Sequence, residues 1–379
     1  MINNELTFFN SLKKVFRYIS IYGFSKTWFK IIGRSRFLSK YYKPRLSSKR
    51  DIGVIGCGQL AFSTLGHSLC KKFNNRFIDC YDIDENAKNS YAKFYRIASP
   101  SDSAIDLIQN PDVEYVYITS NHFSHAEYAI KALNAGKNVY VEKPISVNYE
   151  QLNELSNAIS SSNKKIYAGY NRPFSKPLME LKKQIEKKSG PITLSCFISA
   201  HDIPSDHWYR NEKEGSRICG NIGHWIDLAV HILNWGEMPD HLKISISPSN
   251  SKFSDQDLSI TITSENEDLI VITFTSRCDP FEGVNESINF QNDNTICKID
   301  DFRNISIWKN ENLIKKSYWP KDVGHTEALL QPFREENQRD FNEVIMSTLL
   351  MLHIAEMVKL KKINSSFSFS RESNNFLKS

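Results

Sequence analysis

Two segments of different rhythm predict the fold class: an α/β chain whose N-terminal part is a doubly wound parallel sheet, followed by an α+β domain with an open, mostly antiparallel sheet. From Asp51 to Gly169 short apolar runs alternate with helical stretches, the pattern of a parallel sheet with helical crossovers. After Pro191 strand-like runs follow one another with one helix among them, the pattern of a sheet covered on one face. A chain of 379 residues has room for both.

The first fifty residues precede both patterns. They carry twelve Lys/Arg and a single acid, Glu5, a net charge of about +11 that leaves the rest of the chain near −6. Between residues 4 and 38, Phe8, Phe9, Phe16, Tyr18, Tyr22, Phe24, Trp28 and Phe29 mix with Lys13, Lys14, Arg17, Lys26 and Lys30. Short helices with one apolar and one cationic face fit this mixture. Two readings stay open: residues 1–40 touch an anionic membrane surface, or they pack on the body of the protein or on a second subunit. Lys40–Arg50 reads as a linker, with Pro44 and the Ser47–Ser48 pair as breakers. The expected division is an extension over 1–48, a first domain over 49–170, a second over 171–363 and a flexible Ser/Asn-rich tail over 364–379.

In the first domain, strands are expected at Ile52–Ile55, Arg76–Asp82, Val113–Thr119, Asn138–Val141 and Lys165–Gly169. Helices are expected at Leu60–Phe73, Glu85–Phe94, His125–Ala135 and Tyr149–Ser161. In the second, strands are expected at Ile192–Ser199, Leu242–Ser247, Leu258–Thr263, Leu269–Thr275, Ser287–Phe290, Thr295–Ile299 and Ile305–Trp308. A helix over about Asn221–Asn234 interrupts them, and 335–360 reads as one long amphipathic helix or two.

The first strand runs straight into Gly56-Cys57-Gly58-Gln59-Leu60-Ala61. This is the GxGxxG/A turn of a Rossmann domain in its strand–turn–helix setting. Gly56 permits the tight turn, Gly58 lets the backbone approach a pyrophosphate, and Ala61 allows close helix–strand packing. Gln59 and Leu60 open a helix whose N–H groups and positive dipole end suit phosphates. The second strand ends at Asp82, where a carboxylate meets the adenosine ribose, and Asp84 is placed to cap the next helix. A carboxylate there repels a 2′-phosphate and no Ser-Arg pair follows it, so NAD is favoured over NADP.

Four further stretches complete a pattern. The third turn reads Thr119-Ser120-Asn121-His122-Phe123-Ser124-His125, a later strand ends in Glu142-Lys143-Pro144, and Gly169-Tyr170-Asn171-Arg172 follows. Then comes Gly220-Asn221-Ile222-Gly223-His224-Trp225-Ile226-Asp227-Leu228-Ala229-Val230-His231. Taken in this order, the motifs resemble the glucose–fructose oxidoreductase/inositol dehydrogenase (Gfo/Idh/MocA) family over about residues 51–350. At the carboxyl end of a buried strand, Lys143 would face the nicotinamide, and a desolvated lysine there can assist proton transfer. Asp227 and His231, four apart on a helix, face one side. The resemblance implies that His231 accepts the substrate's hydroxyl proton and that Asp227 orients it. It further implies that Thr119, Asn121, His125 and Glu142 stand on the cofactor side. Asn171, Arg172, His207, Trp208, Arg217 and His224 would line the substrate pocket.

Ser120 stands where the family more often has Pro, and Pro173 replaces a frequent second Arg. The basic arm, ending in K-T-x-F-K-x-x-G-R, resembles that of relatives from bacterial surface-polysaccharide gene clusters. The implied reaction is NAD-dependent hydride transfer at a secondary alcohol of a sugar or nucleotide sugar. Two other uses of the same site remain: a bound, recycled NAD that enables epimerisation, elimination or glycoside cleavage, and a non-catalytic dinucleotide sensor. Seven cysteines without a CxxC pair suggest a reducing compartment and no disulfide framework or metal site. The expected setting is the cytoplasm, at or near the inner membrane face if the arm binds lipid. A homodimer or homotetramer is expected because one sheet face needs cover, and nucleic acid is not among the expected partners.

Overall fold

The structure is a computed structural model that describes residues 13–185, 189–278, 280, 282–336 and 338–376. Its first sheet has five parallel strands: β1 (Ile52–Ile55), β2 (Phe77–Tyr81), β3 (Tyr115–Ile118), β4 (Asn138–Val141) and β5 (Ile166–Ala168), in the order β2-β1-β3-β4-β5. β1 is buried along its whole length because helices cover both faces. The chain steps outward from β1 to β2 and then crosses back to β3. The crevice above β1 and β3 is therefore the topological switch point where open α/β sheets bind ligands.

The second sheet has nine strands: β6 (Ile192–Ser199), β7 (His241–Pro248), β8 (Leu258–Ser264), β9 (Leu269–Thr275), β10 (Asn285–Asn292), β11 (Thr295–Asp300), β12 (Asn304–Lys309), β13 (Asn312–Ser317) and β14 (Asn364–Ser368). Only the pairing of β6 with β9 is parallel. Burial alternates along β6, and its inner residues Leu194, Cys196 and Ile198 share one core with the helices over Gly223–Leu233 and Phe341–Lys359. The predicted fold class stands. The helix over Phe341–Lys359 is long and apolar enough to cross a membrane by length and composition, yet most of it is buried inside the protein.

Two parts differ from expectation. Residues 364–368 form the edge strand β14, paired antiparallel with β7, and Phe369–Phe376 is helical, so the segment after 363 is a structured edge rather than a frayed tail. Phe367 and Phe369, only 2% and 4% exposed, hold it; the surrounding Ser and Asn hid this pattern. Residues 377–379 lie outside the described residues.

The other is the basic arm. Helix α1 runs through 13–22 and α2 covers Phe24–Ser35, joined at Gly23 with φ +78°. Phe29 and Ile32 of α2 are buried on the first domain, Phe29 edge-on to Phe94 with ring centres 6.1 Å apart. At its other end the arm meets the second domain. The Trp319 indole donates to the Ser20 carbonyl at 2.8 Å, the Lys321 N–H to the Ile21 carbonyl at 2.8 Å, and Arg17 pairs with Glu282. The arm is thus packed across both domains. Phe16 and Phe24 are its exposed aromatics among the described residues, while Phe8 and Phe9 lie outside them.

Candidate active site

The glycine turn is built as a cradle. Gly56 has φ +92°, and a Cβ there would come within 2.6 Å of the Thr119 carbonyl and the Ser120 nitrogen. No L-side chain fits. At Gly58 a Cβ would meet nothing within 4 Å, so this face of the turn is open. Thr119 Oγ1 donates to the Gly56 carbonyl at 2.7 Å and so closes the turn from behind. Gln59 sends its amide away from the turn, to the Lys30 carbonyl at 3.2 Å and Ser63 Oγ at 3.3 Å, so only its backbone faces the crevice. Leu60, half-buried, starts a wide helical turn over Leu60–Leu65.

Asp82 accepts the Cys57 N–H at 2.6 Å and the Asp84 N–H at 2.9 Å, which fixes its carboxylate at the rim of the turn. Asp84 caps the helix over Glu85–Tyr95. Sequence reading missed Arg36: from the end of the arm it donates to the Cys57 carbonyl at 2.9 Å and Ser90 Oγ at 3.2 Å, its guanidinium 3.9 Å above the Phe62 ring. Nothing in linear spacing reports an arginine arriving from twenty residues upstream.

Lys143 lies at the carboxyl end of β4. Its Nζ donates to the Gly220 carbonyl at 2.7 Å, and burial draws its pKa down to about 8 against the opposing pull of Glu142. Burial pushes the Glu142 carboxyl up, and the Tyr140 hydroxyl donates to it at 3.2 Å. His125 supports this corner rather than a ligand: its Nδ1 lies 2.8 Å from the Pro144 carbonyl and its Nε2 3.1 Å from the Ser120 carbonyl. Across from Lys143, Gly220 is packed so closely that a Cβ would stand 2.7 Å from both the His122 ring and the Tyr209 ring.

The segment before Gly220 folds down on the third turn. Glu214, another residue missed from the sequence, accepts the Asn121 amide at 2.7 Å and the Phe123 N–H at 3.2 Å, while His122 Nδ1 lies 3.0 Å from its carbonyl. Asn121 is therefore held in a clasp between the domains. Trp208 and Tyr209 each bring a ring centre within 4.7 Å of His122, and burial pulls that imidazole down to about 2. His207 accepts the Tyr209 N–H at 3.2 Å, and Trp208 is half exposed beside it.

The geometry corrects the expected catalytic pair. Asp227 and His231 lie on the helix over Gly223–Leu233, but they face the helix over Phe341–Lys359. Both Asp227 oxygens accept from Arg339, at 2.7 and 2.9 Å, and Ser347 Oγ donates to one of them at 2.9 Å. His231 Nδ1 lies 2.8 Å from Glu343, which Asn234 and Arg339 also engage. This is a closed ionic cluster, with the charges satisfied inside the domain. Seven residues of α-helix separate His231 from His224, about 10 Å along the axis.

His224 is the histidine on the Lys143 side. Its Nδ1 is buried without a hydrogen-bond partner, and burial, then the positive charges of Arg172 and Lys143, keep the ring neutral. Its expected place among the substrate residues agrees with this position, although its chemistry was assigned to His231. The signal that could have separated them is local: His224 follows directly on the Gly220–Gly223 turn, whereas His231 lies two turns inside the helix.

The remaining pocket candidates are occupied by the protein itself. Arg172 pairs with Glu286 at 2.9 Å, and Trp225 Nε1 donates to the same carboxylate at 2.9 Å. The Asn171 amide donates to the Val323 carbonyl, and its Oδ1 accepts Arg172 at 3.1 Å. Arg217, 1% exposed, donates to the His201 carbonyl at 2.7 Å and keeps one buried Nη1 without a partner. Among the described residues no group of three His, Cys, Asp or Glu side chains gathers to hold a metal ion.

A family profile described as an oxidoreductase family with an NAD-binding Rossmann fold, GFO_IDH_MocA, matches residues 50–170, the span that carries the glycine turn and Lys143. The likeness to this oxidoreductase family lies in residues 50–170. Among similar proteins, an oxidoreductase of Formosa agariphila is 27% identical over 229 residues, 58% of this chain and 71% of that one. An inositol 2-dehydrogenase of Gluconacetobacter diazotrophicus is 31% identical over 166 residues, 43% of this chain and 47% of the enzyme, so the match spans about half of that relative. In fold the chain is similar to levoglucosan dehydrogenase solved with NADH and L-sorbose, with a TM-score of 0.69 at 15% identity over 85% of this chain and 99% of that one.

Proposed function

We propose that this Gfo/Idh/MocA protein is an NAD-dependent dehydrogenase that oxidises a secondary alcohol of a sugar, with Lys143 and His224 at the reacting carbon. The observation that carries the reading is a half-buried lysine at the carboxyl end of β4 within electrostatic reach of a neutral histidine whose Nδ1 has no partner. The turn fits a dinucleotide: Gly58 opens on free space and Asp82 is fixed at the rim. When bound, NAD supplies the hydride acceptor. The N–H groups at the start of the Leu60 helix and the Asp82 carboxylate are the groups to hold its phosphates and ribose.

Lys143 spends one of its three N–H groups on Gly220 and has two for a substrate oxygen. His224, neutral and unpartnered, accepts the hydroxyl proton. Positive charge from Lys143, with Arg172 behind it, stabilises the oxygen as negative charge develops. A dehydrogenase named for inositol and one solved with NADH and a sugar support the substrate class.

The test measures NADH binding by energy transfer from the protein, then formation of reduced nicotinamide across a panel of sugars and nucleotide sugars. Turnover with release of NADH upholds the reading. Cofactor that copurifies and is never released moves the site to a recycled-NAD reaction, and no binding of NADH or NADPH ends the dehydrogenase reading.

The outer face of the nine-stranded sheet supports a homodimer. Leu313, Trp308 and Ile296 stand opposite one another in register across β13, β12 and β11, and the row continues through Gln291 and Thr193 to Leu269. Its apolar members are 38–50% exposed. A second copy burying this face would complete the layer that helices cover on the other side.

A further inference from the structure

Among the described residues four aromatic side chains are at least 66% exposed, Phe16, Phe24, Tyr41 and Trp319, and no other aromatic passes 50%. Three of the four come together where the arm meets the second domain. Phe16 and Ser20 are one helical turn apart on α1, and the Trp319 indole donates to the Ser20 carbonyl at 2.8 Å. Phe24 opens α2 directly after Gly23, where an added Cβ would stand 3.9 Å from the Trp319 ring. Trp28 continues the row, its ring within 8° of parallel to Phe24 at 6.3 Å. The row is assembled from segments 299 residues apart, so it is a property of the fold and not of one helix's composition. A contiguous exposed apolar row of this kind marks an interaction surface.

The surface around the row is basic. Residues 13–50 carry twelve Lys/Arg and no Asp or Glu. Lys13 lies one turn before Phe16 on the same stripe of α1, Lys14 and Arg17 flank that ring, and all three are exposed. Carboxylates of the body answer part of this charge: Glu282 pairs with Arg17, and Asp51 and Glu114 with Lys49 at the far end of the arm. Charge then decides the partner. A second copy would set this basic surface against itself across a two-fold contact, which like charges oppose. A protein partner takes aromatic anchors into pockets where they are fully desolvated and well packed. Separate rings beside long flexible cations suit a phospholipid interface, where rings settle at the headgroup boundary and ammonium groups meet phosphates.

We propose that the bend between α1 and α2, together with Trp319, is a docking surface for an anionic phospholipid membrane. Phe16, Phe24 and Trp319 enter the interface, and Lys13, Lys14 and Arg17 meet the headgroups. The other side of the arm stays on the protein, with Phe29 and Ile32 in the core of the first domain, so docking asks no unfolding of the arm. The surface does not depend on the dehydrogenase reading, since none of its residues belongs to the site at Lys143.

The test sediments the full chain with vesicles of phosphatidylcholine alone, and of phosphatidylcholine and phosphatidylglycerol in equal parts. The wild type should bind the anionic vesicles about tenfold or more tightly than the neutral ones, and added salt should release it. Phe16→Ser/Phe24→Ser and Lys13→Gln/Lys14→Gln should each weaken that binding by about tenfold or more, with NADH affinity and thermal midpoints unchanged. Trp319 emission, isolated as the difference between the wild type and Trp319→Phe, should move to the blue on anionic vesicles and be quenched by iodide only in their absence. No binding to anionic vesicles, equal binding to neutral ones, or full binding by Phe16→Ser/Phe24→Ser overturns the proposal. Unchanged Trp319 emission on the vesicles overturns it as well, and that reading needs neither double variant. So does a Trp319 already shielded from iodide without lipid, in a wild type that sediments as a larger species than Phe16→Ser/Phe24→Ser, because a second copy then covers the row.

Discussion

In the proposed reaction Lys143 and His224 divide the work by charge. The lysine is an ammonium held by one carbonyl at 2.7 Å, and the histidine is neutral because burial, then the charges of Arg172 and Lys143, disfavour its proton. His224→Ala should lower kcat/KM by about a hundredfold or more while NADH binding stays within about twofold, since it removes the proton acceptor and not the cofactor site. His231→Ala should instead act on stability, because it removes one of the hydrogen-bond partners of Glu343 in a buried cluster. Normal turnover in His224→Ala together with lost turnover in a well-folded His231→Ala would reverse the assignment.

Lys143 also has a stability signature with a definite sign. Its folded pKa of about 8 lies below the ordinary 10.5, so the unfolded chain holds that proton more firmly. Below pH 8 the lysine is charged in both states and its burial cost is fully present. Between pH 8 and 10.5 the folded form sheds the proton, and the cost declines. Lys143→Met should therefore be inactive yet more stable than the wild type by about 1–3 kcal/mol at pH 7. The gap should close as the pH approaches 10 in urea titrations. A gap that widens with pH contradicts a desolvated ammonium.

The secondary elements were largely legible because apolar period and glycine placement are local properties. β1, its turn and β4 with Glu142-Lys143-Pro144 carry their roles in the sequence itself. Three residues of the site were not legible for one shared reason. Arg36, Glu214 and Gly220 act on groups distant in the chain, through contacts that only the docked domains create. The proton acceptor was expected at His231 rather than at the proposed His224 because the helix over Gly223–Leu233 puts two histidines seven apart on one stripe, and only packing against the helix over Phe341–Lys359 tells them apart. The arm shows the same limit, since an amphipathic basic helix reads alike whether its apolar face meets lipid or protein. Here α2 spends Phe29 on Phe62 and Phe94. Phe29→Ala should cost about 3 kcal/mol in denaturant unfolding, and a cost below about 0.5 kcal/mol would show that the arm is not docked. Arg36→Ala should weaken NADH about three- to tenfold by loosening the Cys57 carbonyl, with little change in unfolding free energy.

The two sheets solve the covering problem differently, and that difference predicts assembly. The parallel sheet is buried on both faces by its own crossovers, so it asks nothing of a partner. The nine-stranded sheet has helices on one face only, and its other face carries a cross-strand row of Leu313, Trp308, Ile296 and Leu269, with Phe197 on the same side. Large apolar groups aligned over several strands are an association surface, whereas scattered single ones are not. Both edges are short polar strands, β13 and β14, so assembly through edge pairing is disfavoured and face-to-face packing is left. Sedimentation velocity of the wild type should show a dimer or a higher even species. Ile296→Lys/Trp308→Lys should shift it towards monomer, because two charges would be buried at the centre of a two-fold contact. NADH affinity should hold, since the row lies on the sheet face opposite the helix over Gly223–Leu233. A wild type that is monomeric at all concentrations, or a double variant that assembles unchanged, would leave this face without a partner of its own kind.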